Sequence, residues 1–350
     1  MTPSIRFLLL LSAFSAIQGP LVAEEPPLSR IAFGSCANQD KPQPIWDAVV
    51  DIRPQRFLFL GDSIYADTED MDVMRAKYAL LGKKPGYQKL KKTCPILATW
   101  DDHDYGANDA GAEYPKKKES QQLFLDFFDE PADSSRRKQE GIYTSCEFGP
   151  AERRVQVILL DTRYHRSPLK KSGRKKGDPG FLGPYTKNTD PGATVLGEAQ
   201  WTWFEAELRK PAVVRIIASS IQVLPNQHYW EKWGNFPQER VRFMQAIRDA
   251  KASGVIVLSG DRHSAEISRN DRLVGYPLFE ITSSSLNAPA QPKEEPNRDR
   301  VGGLHGQENF GVISIDWSQL DPVISLDLRD VTGKPIESQK VRLSELAPKP

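Results

Sequence analysis

The feature that most restricts this chain is a repeated pattern: a short, continuous apolar run that stops abruptly in polar residues. Ile31-Ala32-Phe33 ends in Gly34-Ser35-Cys36, and Arg56 to Leu60 ends in Gly61-Asp62-Ser63-Ile64-Tyr65. Pro95 to Trp100 ends in Asp101-Asp102-His103-Asp104, and Val155 to Leu160 ends in Asp161-Thr162-Arg163. Val214 to Ala218 runs into Ser219-Ser220, and Val255 to Leu258 into Ser259-Gly260-Asp261-Arg262-His263. Apolar runs that do not alternate with polar residues fit strands buried on both faces. Stretches with helical spacing lie between several of them: Ile45 to Ile52, Asp70 to Lys92 with a break at Pro85-Gly86, Glu119 to Phe128, Glu198 to Arg209 and Gln238 to Ala250. Strands alternating with helices predict an α/β fold.

The C-terminal part changes character. Pro277 to Thr282, Gly311 to Trp317 and Val323 to Arg329 read as strands with no helix between them. Thr332-Gly333-Lys334 reads as a hairpin turn into a last short strand. A second, largely antiparallel sheet is expected there. Two Pro-rich, charged segments, 167–192 and 287–303, read as surface excursions on the rim of a cleft.

The N-terminal residues resemble an export signal. Arg6 precedes an apolar run from Phe7 to Ile17, shorter than the ~20 residues that a membrane span needs. Small and apolar residues follow up to Ala23, so removal of residues 1–23 is expected, leaving one domain over 24–350 in the periplasm or outside the cell. No later run reaches spanning length. A net charge of +1 argues against a general nucleic-acid binder. Three cysteines are too few for a disulfide scaffold, although export would allow Cys94 and Cys146 to pair.

In α/β sheets, ligands sit outside the carboxyl ends of the strands. Here those ends carry Cys36, Asp62, Tyr65, Asp101, Asp102, His103, Asp104, Asp261 and His263. Gathered on one edge without counter-ions, these carboxylates would repel and pay for desolvation. Bound cations resolve that. Oxygen ligands suit calcium, magnesium or manganese, whereas thiolate and imidazole suit iron or zinc, so the mixed set implies at least two metal ions of different character.

The motifs F-G-S-C at 33–36, G-D-S-I-Y at 61–65, T-W-D-D-H-D-Y-G-A-N-D at 99–109, L-D-T-R at 160–163 and S-G-D-R-H at 259–263 resemble those of the alkaline phosphatase D (PhoD-like) family, within the calcineurin-like metallophosphoesterases. S-S-I-Q-V-L from Ser219 and W-E-K-W-G-N-F from Trp230 fit the same pattern. The resemblance runs from about Arg30 to about Trp317. It implies a sandwich of two central mixed sheets flanked by helices (α/β/β/α), with C-terminal strands from about residue 305. It also implies a secreted hydrolase of small phosphate esters that binds iron (Fe3+) and calcium, other divalent metals being alternatives.

Carried over position by position, Cys36, Asp62, Tyr65, Asp261 and His263 would be metal ligands, and the third motif would supply Asp102 or Asn108. A hydroxide bridging the metals would attack phosphorus in line, with His103 protonating the leaving group or stabilising the transition state. Arg163 either grips a phosphate oxygen or pairs with a carboxylate. The wider superfamily has a carboxylate where Tyr65 stands, which orients the catalytic histidine; Asp101 or Asp104 would have to replace it. Phosphodiesterase or phospholipase-type activity on the same site is one alternative. A non-catalytic metal- or phosphate-binding protein, with a monomer favoured in either case, is another.

Overall fold

The computed structural model describes residues 26–290 and 295–348. The apolar run at 7–17 and the expected cleavage after Ala23 lie outside the described residues. In chain order the strands are β1 (Arg30–Gly34), β2 (Arg56–Leu60), β3 (Ile96–Thr99), β4 (Thr144–Phe148), β5 (Val155–Leu159), β6 (Lys170–Lys171), β7 (Tyr185–Thr186) and β8 (Val214–Ala218). They continue as β9 (Val255–Ser259), β10 (Ala265–Asn270), β11 (Leu278–Ser283), β12 (Arg300–His305), β13 (Asn309–Asp316), β14 (Val323–Asp330) and β15 (Pro335–Arg342). The α-helices are α1 (Ile45–Asp51), α2 (Met71–Gly82), α3 (Pro85–Thr93), α4 (Asp102–Tyr105), α5 (Lys117–Phe127), α6 (Gly197–Leu208) and α7 (Pro237–Asp249).

Among the described residues two large mixed sheets form, one ordered β15-β14-β13-β1-β2-β3 and the other β12-β10-β11-β9-β8-β5-β4. Residues β5, β8 and β9 are buried along their whole length, as continuous apolar runs require. Side-chain alternation sorts the first sheet into two faces. Ile31, Phe33, Leu58 and Leu60 join the core shared with the second sheet. Ala32, Phe57 and Phe59 join a separate core under α1, α2, α3 and α5. Trp46 of α1 meets Phe57 and Phe59 edge-on at 5.5 and 5.8 Å. Trp201 and Phe204 of α6, with Phe243 of α7, cover the second sheet on its outer face. The layers are therefore α/β/β/α, as the resemblance implies.

The C-terminal strands do not build a sheet of their own. β13 pairs antiparallel with β1 (Ala32 opposite Val312), and β14 and β15 extend that sheet. β11 instead lies parallel to β9 in the second sheet. The reason is edge satisfaction: β1 has β2 on one side only, and its other row of backbone groups needs a partner. β15 spans eight residues and is not short. β12 begins inside the segment read as a loop; its Gly302-Gly303 sequence has little strand preference, and it forms because β10 offers an edge.

The parallel strands of both sheets bring their carboxyl ends to one rim. Loops are stitched there: the Ser35 N–H donates to the Ser283 carbonyl (3.1 Å) and the Leu286 N–H to the Ser35 carbonyl (3.0 Å) across the two sheets, while bonds from Ala37 to Asp62 (2.9 Å) and from Gly260 to Ser220 (2.9 Å) tie neighbouring loops within one sheet. Cys94 and Cys146 do not pair. Cys94 closes α3 in the helix-side core, whereas Cys146 sits on β4 of the other sheet. All three cysteines are free thiols. Denatured, metal-free protein is therefore expected to titrate three thiols with a maleimide reagent or dithionitrobenzoate, with and without prior reduction; a count of one before reduction would contradict the arrangement.

Candidate metal centre

The loops after β1, β2, β3 and β9 converge on a buried acidic basin. Asp62 and Asp102 are each shared by two of its three groups of donor atoms. Cys36, Asp62 and His263 each offer one donor atom, all within 4.8 Å of one another, and so do Asp62, Asp102 and His103. Asp101, Asp102 and Asp261 form a third such group. Cys36 Sγ is 3.5 Å from Asp62 Oδ2 and 3.2 Å from Ser284 Oγ. The Tyr65 ring lies 4.3 Å from the His103 ring and 6.2 Å from that of His263. Its hydroxyl is buried, with the Cys36 thiol as its polar neighbour.

The backbone is bent to make this possible. Cys36, Asp62, Asp67, Asp109, Asp261 and His263 all have φ between 45 and 68°. Left-handed conformations at non-glycine residues cost on the order of 1–3 kcal/mol each and persist where the surroundings over-determine them. Gly61, at φ 100°, lets the Asp101 backbone pass at a distance where a Cβ would lie 2.3 Å from Asp101 Cβ.

Orientation is fixed by partners around the basin. His263 Nδ1 faces the Ala288 carbonyl at 2.5 Å, which leaves Nε2 free to coordinate, and the His263 backbone N–H donates to Ser284 Oγ at 2.8 Å. His103 Nδ1 is 2.8 Å from both oxygens of Asp67. Asp67 thus does what was expected of Asp101 or Asp104. Those two are occupied elsewhere. Asp104 accepts from the Ser63 N–H and hydroxyl (2.9 and 2.8 Å) and from the Asp101 N–H (2.6 Å), bracing two loops together. Asp101 accepts from Arg163 Nε (2.6 Å) and Ser220 Oγ (2.7 Å).

Arg163 does not line the cleft. It is fully buried, and besides Asp101 it pairs with Glu231 at 2.8 Å; Arg166 holds the other Glu231 oxygen at 3.0 Å. Of the two readings of Arg163, the structure corrects the phosphate grip: its guanidinium is spent on carboxylates behind the basin. Asp102 is buried and accepts from the Asp109 N–H at 2.7 Å, whereas Asn108 is exposed at the cleft mouth and donates to Asp109 Oδ2. Asp102, and not Asn108, is grouped with the other donor atoms.

Sequence reasoning missed Asp67, Asp109 and Glu231. All three lie within or next to the quoted motifs: Asp67 two residues after Tyr65, Asp109 closing the third motif, and Glu231 inside W-E-K-W. The segments 167–192 and 287–303 do reach the cleft, a cavity of about 480 Å3, through Lys176, Asp178, Phe181, Leu182 and Glu295.

Electrostatics follow from crowding. Burial, then the charges of neighbouring carboxylates, raises Asp62 and Asp261 well above the usual carboxylate range. Burial likewise raises the Cys36 thiol and Tyr65 phenol. Asp102 is the exception: burial would raise it, but the Arg163 and His103 charges and the Asp109 N–H hold it at about 2. His103, which burial would lower, is lifted to about 10 by Asp102 and Asp67.

A family model of PhoD-like phosphatases matches residues 31–310. The chain belongs to this family. As a PhoD-like phosphatase it is a phosphoester hydrolase. Its fold is similar to that of solved PhoD, at 17% identity and TM-score 0.69, covering 91% of this chain and 69% of that one. It is also similar to the purple acid phosphatase PPD1 from yellow lupin (Lupinus luteus) seeds, at 11% identity and TM-score 0.62, covering 91% and 54%. GAP50, described as the anchor in the inner membrane complex of Plasmodium, shares the fold at 12% identity and TM-score 0.56, covering 90% and 88%. No curated protein sequence matches significantly.

The crowding makes a prediction for this PhoD-like phosphatase. In metal-free protein, burial pushes Asp101 to about 7, Asp104 to about 6, Glu231 to about 8 and Glu280 to about 7. The unfolded chain releases those protons near pH 4, so between about pH 5 and 7 the folded state binds more protons and stability falls as pH rises. His228 and His263, lowered by burial, oppose this but are outnumbered. The Tm of chelator-treated protein is expected to fall from about pH 5 to about pH 7, and added metal ions should flatten the slope. A Tm that climbs over this range would contradict the acidic-basin description.

Proposed function

We propose that this chain is an exported, metal-dependent phosphoric-ester hydrolase that uses the Asp62 basin as its metal centre. The observation that carries the proposal is that three groups of donor atoms are chained through shared carboxylates, Asp62 joining the first to the second and Asp102 the second to the third, as carboxylates between neighbouring cations would. The donor set fits the implied ions. Cys36 thiolate, Tyr65 phenolate and His263 imidazole suit ferric iron, and the Asp102 and Asp261 carboxylates suit calcium. The Tyr65 hydroxyl, buried beside the Cys36 thiol, supports this, since one cation could draw on both donors.

Bound cations would supply Lewis-acid polarisation of the phosphoryl oxygens and acidify an attacking water. The remaining work falls to the protein. Asp67 fixes His103 through Nδ1, leaving Nε2 as the ring nitrogen available in the cleft. The Asp67 carboxylate at Nδ1 favours the imidazolium form of His103, which would carry the proton that a departing alkoxide oxygen needs. Arg163, buried between Asp101 and Glu231, keeps Asp101 beside Asp102 and Asp261 without contacting substrate. Export by way of the N-terminal apolar run is part of the proposal. It places the enzyme where phosphate esters are met outside the cytoplasm.

Hydrolysis of p-nitrophenyl phosphate, together with metal content, tests this. His103→Ala is expected to lower kcat by roughly 10²–10⁴ with metal retained. Asp67→Asn should cost about tenfold and shift the pH profile, since it removes only orientation and charge. Asp62→Asn should lose bound metal and activity together. Folded Asp62→Asn and His103→Ala variants that work at the wild-type rate would sink the proposal. Greater activity on bis-p-nitrophenyl phosphate than on the monoester would assign the diesterase alternative.

A further inference from the structure

The acidic residues of the cleft account for phosphate and metal, and the same cavity carries an apolar patch among the charged residues of its rim. Phe181 and Leu182, from the hairpin of β6 and β7, and Trp230 share the cavity with Asp102, His103, Asp261 and His263. Phe181 and Trp230 meet edge to face, with centroids 5.6 Å apart. All three wall residues are half-buried, so water still reaches them.

This wall is held firmly. The Tyr185 N–H donates to the Tyr229 carbonyl (2.9 Å), and the Tyr229 N–H to the Leu182 carbonyl (2.8 Å). Gly183, at φ 128°, allows an approach at which a Cβ would stand 2.3 Å from the Trp230 nitrogen. The wall is also tied to the acidic residues. Tyr185 Oη donates to Asp109 Oδ2 (2.5 Å), and the Asp109 N–H donates to Asp102 Oδ2 (2.7 Å). Arg262, which lies between Asp261 and His263, places its guanidinium 5.6 Å from the Trp230 ring centroid. Both Glu295 oxygens anchor it at 2.9 Å. Trp230 therefore stands one arginine side chain away from the metal-binding residues.

We propose that Phe181, Leu182 and Trp230 form the leaving-group subsite, and that the enzyme prefers phosphate esters whose leaving group carries a planar aromatic ring. The inference rests on the phosphatase reading and adds a substrate class to it. A half-exposed aromatic wall gains most by burying another ring in offset or edge contact. A small polyol leaving group would leave it wet. The volume of about 480 Å3 is within the range of small-molecule sites and accommodates a phosphate with one ring system. A nucleoside and a simple aryl alcohol share this chemistry.

Calorimetric titration with phenylphosphonate and methylphosphonate, neither of which can be hydrolysed, tests the subsite apart from turnover. Phenylphosphonate is expected to bind about tenfold tighter or better, an advantage that Trp230→Ala removes and Trp230→Phe largely restores. Equal affinities would overturn the inference. In kinetics, Trp230→Ala should lower the kcat/KM ratio of phenyl phosphate to glycerol phosphate by about tenfold, through KM. Equal losses for both esters would reduce the Phe181–Trp230 contact to a clamp and overturn the subsite as well. If the wild type hydrolyses no ester yet keeps the phosphonate difference, the phosphatase reading falls and the subsite stands. Comparing adenosine 5′-phosphate with phenyl phosphate completes the test: the ester that suffers more in Trp230→Ala identifies the leaving group as nucleoside or simple aryl.

Discussion

The structure is organised around one electrostatic constraint. Asp62, Asp101, Asp102, Asp104 and Asp261 converge with Cys36 and Tyr65 in a space largely closed to water. Anionic groups so placed cost several kcal/mol apiece unless counter-charge is supplied. The protein supplies only part of it. Arg163 and Arg166 stand behind the basin, locked into an internal network with Asp101 and Glu231. Their charge neutralises the rear carboxylates and leaves the front set, centred on Asp62, to be balanced by ions from outside. The strained backbone at Cys36, Asp62, Asp261 and His263 has the same origin: tight turns at the strand ends aim donors at one point.

The two sheets make that convergence rigid. Four of the motifs follow strands paired on both sides (β1, β2, β5 and β9) and the third follows the edge strand β3, which is paired with β2, while the two sheets share a single core that fixes their separation. Backbone hydrogen bonds then link the loops of one sheet to those of the other. A site assembled from both sheets is as well placed as the packing between them. The cleft walls follow a different principle. The hairpin of β6 and β7 contributes only two short strands to the fold, and its place depends on backbone pairing with Tyr229 and on Tyr185 reaching Asp109. The metal-binding residues thus rest on the core, whereas the part that meets the substrate's variable group rests on an excursion.

Much of this was legible in the chain before folding was considered. Runs such as Val255 to Leu258 announce buried strands because only a two-sided burial makes continuous apolar residues favourable. The break at Pro85-Gly86 separates α2 from α3 because proline cannot continue a preceding turn. Polar clusters after the strands mark the site. Less legible were partnerships between distant residues. Nothing local says that Asp67 and not Asp104 holds His103, because all these carboxylates sit within a few positions of a strand end. Arg163 reads equally well as a substrate contact or a buried pair until its depth is known.

The sequence by itself determined the class of fold, the rim on which the chemistry sits and the kinds of donor atom gathered there. These follow from periodicity and from residue type, which are local properties. Tertiary structure alone decided the rest. It sent β13 to β15 to the open edge of β1 rather than into a separate sheet, kept Cys94 and Cys146 apart, buried Arg163 behind Asp101 and brought Trp230 into the cavity of the acidic basin. Each depends on which surfaces meet across the core, and pairings between residues far apart in the chain are fixed only when the backbone groups and charges of the whole molecule are satisfied together.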